Sequence, residues 1–147
     1  MLATQPLCIW SAGVTIRPVS QREVELILVR QLASYLTMPM FVVDPKGTLI
    51  YFNEAAEPLL GRRFEETEEL PFAEWTEVLE PSNPDGVRLE AHERPLLIAL
   101  EQHRPAHATM RLRSLTGEWN DLDVTCFPLT GQSGRELGAV ALLWKKP

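Results

Sequence analysis

The segment Phe41-Val-Val-Asp-Pro-Lys-Gly-Thr-Leu-Ile-Tyr-Phe-Asn53 constrains this chain more than any other. Two short apolar runs, rich in β-branched and aromatic residues, flank Asp44-Pro45-Lys46-Gly47. Asp suits the first position of a type I turn, Pro presets φ at the second, and Gly accepts the positive φ that follows. The pattern predicts an antiparallel hairpin over about 40–44 and 48–52. Asn53 can cap the backbone N–H groups of a helix that starts at Glu54, and Gly61 stands where a left-handed residue closes it.

A chain of 147 residues is one domain's worth, long enough to bury a core. The net charge of −6 and the lack of a basic patch with interleaved aromatics argue against nucleic acid or an anionic membrane as partner. Two cysteines, Cys8 and Cys126, make no disulfide framework. Cys126 lies in an alternating run, where a small buried hydrophobe is expected. No apolar run reaches the roughly 18–20 residues that span a bilayer, and the first residues lack the basic and small-residue marks of a signal peptide. The expected setting is soluble and cytoplasmic, with reduced thiols.

Residues 1–19 carry Pro6, Gly13 and Pro18 without a clean period, which predicts a loosely ordered arm. From Ser20 to about Thr37 an amphipathic helix is expected, with Ser20 and Glu23 forming a capping box. Val24, Leu28, Leu32 and Tyr35 recur every three to four residues, and Ile27, Leu26 and Val29 widen the apolar surface. A helix apolar over more than one face contacts two things at once. Pro39 ends it, and residues 38–147 form the main domain. Residues 62–80 suggest one or two short helices with a solvated acidic face. Pro81-Ser-Asn-Pro-Asp-Gly86 is a loop, and Glu93–Gln102 a helix with Pro95 in its first turn.

The last forty residues predict a three-stranded meander. Met110 and Leu112, then Leu122, Val124 and Cys126, alternate with polar residues at a period of two. The final strand is apolar on both parities, so the outer side of the sheet should be covered too, by the helix over 20–37 from this chain or a second copy. The pocket-facing set expected from this alternation is Met110, Leu112, Leu122, Val124, Cys126, Val140 and Leu142, with Leu96 and Leu100 facing them from the long helix. A filled core and the wall of a small apolar pocket use the same residues, so both remain open.

In order and spacing the chain resembles the PAS domain family. The match runs through Val43-Asp44-Pro45-Lys46-Gly47-Thr48-Leu49-Ile50-Tyr51-Phe52-Asn53-Glu54-Ala55-Ala56, Leu59-Leu60-Gly61, Arg94 to Leu100, Gly117-Glu118-Trp119, Asp123 to Leu129 and Gly138 to Leu143. The resemblance covers roughly residues 33 to 145. It implies an α+β fold: a five-stranded antiparallel sheet with short helices on one face and, here, an N-terminal amphipathic helix. It also implies a sensory or protein-interaction module in signal transduction, not an enzyme, which senses small molecules between sheet and helices and pairs through a preceding helix. Val24, Ile27, Leu28, Leu32 and Tyr35 are then the expected homodimer interface.

Two departures refine this expectation. The family's flavin branch carries a reactive Cys in the helical region, and none lies between Asn53 and His92, so flavin–thiol photochemistry is not expected. The sequence ends at Trp144-Lys145-Lys146-Pro147, from which a standalone module is expected, signalling through a separate protein such as a kinase or regulator. A heme-binding branch of the family uses a His on the connecting helix, and His103 lies near the corresponding helix end. The helix dipole gives that imidazole an ordinary role as well. No cofactor is required by these residues; a heme- or other cofactor-loaded gas or redox sensor is the alternative. No catalytic pair and no metal-ligand spacing is present in the sequence.

Overall fold

The computed structural model describes residues 20–114 and 117–145, so the arm expected over 1–19 lies outside the described residues. The predicted hairpin forms around its turn. The Asp44 carboxylate accepts from the Lys46 and Thr48 N–H groups at 2.8 and 3.0 Å, and Gly47 takes a φ of +86°. Strands β1 (Met40–Val43) and β2 (Leu49–Phe52) result. A 3₁₀ turn at Glu54–Ala56 leads into α2 (Glu57–Leu60), which Gly61 closes in the left-handed region. The acidic segment supplies a second 3₁₀ turn and α3 (Phe72–Leu79). A further 3₁₀ turn at Ala91–Glu93 precedes α4 (Pro95–Gln102). Strands β3 (Ala106–Arg113), β4 (Trp119–Thr130) and β5 (Glu136–Lys145) complete the chain. The five strands order as β2-β1-β5-β4-β3, and each neighbouring pair is antiparallel.

The strands bury one face against the short helices. Phe41, Phe52, Met110, Leu112, Leu122, Val124, Cys126, Ala139, Ala141 and Leu143 meet Leu59, Leu60, Trp75, Leu79, Leu96 and Ala99 there. The opposite face carries a smaller cluster, in which Met40, Val42 and Val140 pack with Ala33 and the partly buried Val29, Leu36 and Leu142. Ala33 and Val29 belong to α1 (Gln21–Ser34), whose first turn carries the capping box of Ser20 and Glu23. The first helix of the same chain therefore lies over β1 and β5. Val140 and Leu142, expected in the pocket, face α1 instead. Pairing decides the matter: Val124 sits opposite Leu143 and Cys126 opposite Ala141, and directly opposed residues share a face. A strand apolar on both parities hides this from the sequence, since a shift of one residue exchanges its faces.

The shielding of the outer face is partial. Over β3 and β4 that side carries a polar ladder, in which Thr109 donates to Asp123 at 2.7 Å and Arg111 pairs with Asp121 at 3.0 Å. His107 Nδ1 and Thr125 Oγ1 lie 2.9 Å apart in the same ladder. At Gly138 the end of β5 lies close against β1. The glycine's φ is +131°, and a Cβ there would run into the Val43 carbonyl.

Asn53 joins the two layers and is 1% exposed. Its carboxamide oxygen accepts from Met40 N at 3.0 Å and Ala56 N at 3.2 Å. Its nitrogen donates to Ala33 O at 3.1 Å and Met38 O at 2.9 Å. One side chain thus caps a helix, ends α1 and fixes the start of β1. Replacing it would leave buried backbone groups unpaired. We expect Asn53→Ala to lower unfolding free energy by roughly 2–4 kcal/mol, measured by urea denaturation; a change within ±0.5 kcal/mol would contradict this role.

Candidate functional site

Between the sheet and helices α3 and α4 lies a cavity of about 60 Å³, several times the volume that one water needs. Its sheet side is Phe41 from β1, Met110 and Leu112 from β3, Val124 and Cys126 from β4, and Ala141 and Leu143 from β5. Its helical side is Phe72, Trp75, Thr76 and Leu79 from α3, Pro81 beyond it, and Arg94 to Leu97 at the start of α4. The Trp75 ring stacks on Phe41 with centroids 5.7 Å apart, while its Nε1–H donates to Gly47 O at 3.1 Å. That bond ties the cavity wall to the first hairpin turn.

Polar groups at this wall are turned toward the backbone. Thr76 Oγ1 donates to Phe72 O at 2.7 Å, and Arg94 Nε donates to Leu89 O at 3.2 Å. Burial pushes the Cys126 thiol up to about 12, so it is a neutral sulfur at physiological pH and not a nucleophile. Burial, reinforced by the neighbouring Arg88, lowers the pKa of Arg94, against the opposing pull of Glu77.

Of the expected pocket residues, Leu96, Met110, Leu112, Val124 and Cys126 line this cavity. Leu122 joins the same core but borders a separate cleft near Pro58 and Trp144. Leu100 packs against the core and borders a small recess with His103, Pro128 and Glu136. His103 does not approach the cavity as a heme ligand would. It ends α4 in a left-handed conformation, φ 52°, and its exposed ring meets Glu136 at 3.1 Å. No histidine is among the residues that line the cavity, and 60 Å³ does not admit a macrocycle, so these residues do not fit heme.

Phe41, Phe72, Trp75, Arg94, Ala141 and Leu143 also line the cavity, though the strand alternation did not select them. Phe72, Trp75, Thr76 and Leu79 follow an i, i+3, i+4, i+7 spacing, a stripe that the surrounding glutamates obscure. Arg94 gave no signal beyond preceding a helix-starting proline.

Helix α1 presents a second feature. Val29, Ala33 and Leu36 face the sheet. Glu25 pairs with Arg135 at 2.7 Å, and the Arg30 guanidinium lies 5.6 Å from the Tyr51 ring centroid. Val24, Ile27, Leu28, Leu32 and Tyr35 are 39% to 75% exposed. Among the described residues, Glu90, His92 and Glu93 can bring three ligating atoms within 4.8 Å of one another, on an exposed turn. No helix among the described residues is long and apolar enough to cross a membrane.

The PAS fold model matches residues 34–145, and the chain belongs to that family. No curated protein matches the sequence. Among solved structures, the PAS domain of a protein from Colwellia psychrerythraea is similar at 19% identity and a TM-score of 0.58, over 82% of this chain and 96% of that one. The PAS domain of nitrogen regulation protein NR(II) from Vibrio parahaemolyticus is similar at 20% identity and a TM-score of 0.58, over 81% and 98%. A Rhodobacter sphaeroides LOV protein is similar at 12% identity and a TM-score of 0.65, over 84% and 68%. At such identities the likeness concerns the fold. The chain is therefore a PAS domain, a sensory or interaction module of signal-transduction proteins, a class that is generally not catalytic.

Folding keeps the proton on Cys126 beyond the pH at which an unfolded thiol loses it. The stability this contributes is fully present below about pH 9 and is lost as pH climbs toward about 12. Urea melts between pH 8 and pH 11 are expected to show a decline that Cys126→Ala reduces. An identical pH dependence in the two proteins would refute it.

Proposed function

We propose that this domain is a ligand-responsive interaction module: the cavity under α3 and α4 accepts a small, largely apolar molecule, and the domain self-associates through the outward stripe of α1. The observation that carries the second part is the division of α1 into two apolar stripes. Val29, Ala33 and Leu36 are taken up by the sheet of the same chain. Val24, Leu28, Leu32 and Tyr35, with Ile27 beside them, remain exposed. Their steps of four, four and three are those of a helix–helix seam. A second copy is the occupant that supplies a matching stripe, since a twofold axis sets one such surface against itself. Isolated exposed apolar side chains are ordinary, but a continuous row of five on one helix marks a contact surface.

The cavity is the reason to read the domain as ligand-responsive. Its floor includes Phe41 and Ala141, whose chain neighbours Val42 and Val140 support α1. A ligand bound on one side of β1 and β5 is one residue away from the helix on the other. Differential affinity for two α1 arrangements would convert occupancy into a change of association.

Light scattering over a dilution series tests the association. The unmodified chain is expected to be a dimer at micromolar concentration. Leu28→Glu and Leu32→Glu, at exposed positions, should give folded monomers with circular dichroism unchanged. A strict monomer at high concentration, or a dimer indifferent to both substitutions, would refute the stripe as interface.

A further inference from the structure

We propose that the turn between β4 and β5 is a two-sided polar clasp that ties α1 and α4 together across the sheet, with Arg135 as the point from which α1 is released. The clasp goes beyond the proposed function and holds whether or not α1 self-associates.

The two halves of α1 are held by different chemistry. In the second half Val29, Ala33 and Leu36 pack on the sheet, and the Asn53 carboxamide donates to Ala33 O at 3.1 Å. In the first half Val24, Ile27 and Leu28 are exposed, and Glu25 reaches the β4–β5 turn, 110 residues away in sequence. Its Oε1 accepts from Arg135 Nη2 at 2.7 Å. The Glu25 side chain is 17% exposed, so the pair is screened less than one in open solvent. The turn has room for that carboxylate. Gly131 lies beneath it, and a Cβ there would collide with Glu25. The φ of Gly131 is −90°, which any residue can adopt, so this glycine matters for close approach rather than for its backbone freedom.

The next residue holds the other helix. Glu136 Oε1 lies 3.1 Å from His103 Nε2. His103 ends α4 with φ 52°, a left-handed conformation that a residue other than glycine adopts at a cost. The contact with Glu136 helps to keep it there. α4 packs on the face of the sheet opposite α1. Arg135 and Glu136 are consecutive and share one peptide unit, yet one reaches α1 and the other α4. A register shift between Leu129 and Thr130, opposite this end of β5, interrupts the alternation of faces. Exposed pairs of this kind contribute little to stability. Their placement is what counts: a movement at the end of α4 pulls on Glu136, and the same peptide unit carries Arg135. The start of α4 lines the cavity, so the clasp leads from that helix to the outward stripe of α1.

Residue-resolved hydrogen exchange of the full chain tests this. Arg135→Gln and Gly131→Ala break the clasp by different means, one removing the charge and the other displacing the carboxylate. Each is expected to speed exchange at Val24 to Leu28 about two- to fivefold, with Ala33 and Leu36 unchanged. Sodium chloride at about 0.5 M should do the same to the unmodified chain and add nothing to Arg135→Gln. His103→Gly keeps the left-handed end of α4 while cutting the link to Glu136, and it too should speed exchange at Val24 to Leu28. The same differences are expected in a Leu32→Glu background, where the stripe no longer associates. Exchange at Val24 to Leu28 that ignores both Arg135→Gln and Gly131→Ala would overturn the clasp, as would differences that vanish with Leu32→Glu. An effect of His103→Gly confined to α4 would leave two unconnected surface pairs and overturn the link between the helices.

Discussion

The structure depends on where β5 pairs. It lies between β1 and β4, and both of its edges are therefore satisfied by antiparallel neighbours. Its register fixes which of its side chains face the helices. Ala139, Ala141 and Leu143 go to the main core, and Val140 and Leu142 to the α1 side. The small residues are on the side where the cavity lies. Ala141 in place of a larger side chain is part of why there is open space above the sheet. Gly138 permits the approach of β5 to β1 at the end of this pairing, where a side chain would collide with Val43.

Local chemistry made much of the fold legible. The Asp-Pro-Lys-Gly turn, the Ser20–Glu23 capping box and the caps at Asn53 and Gly61 each act within a few residues, so sequence alone carries them. The alternation in β3 and β4 was equally informative, because one face there meets water and bears Thr109, Arg111, Asp121 and Asp123. The parity of β5 was not legible, since both of its faces are apolar and only the pairing distinguishes them. The same holds for α3. Its stripe is written in Phe72, Trp75 and Leu79, but the glutamates around it suggested nothing more than a solvated surface.

The cavity shows how a site can be partly written in a chain. Met110, Leu112, Val124 and Cys126, which alternate with polar residues, and Leu96 of α4 were selected; the lining positions of α3 and β5 were not. Arg94 is the residue that sequence reasoning had no means to select. Its placement depends on the 3₁₀ turn at Ala91–Glu93 and on the bond to Leu89 O, which carry its stem to the cavity rim. His103, which the family resemblance made a candidate, is diverted by the left-handed end of α4 toward Glu136.

The four bonds of Asn53 have a consequence for how this domain opens. Its carboxamide holds the last turn of α1, the first residue of β1 and the 3₁₀ turn after β2 at once. Freeing any one of them exposes a polar group of the others to an apolar interior, so they separate as a single cooperative unit. Amide protons at the end of α1 and along the first hairpin should accordingly share one opening free energy in hydrogen exchange.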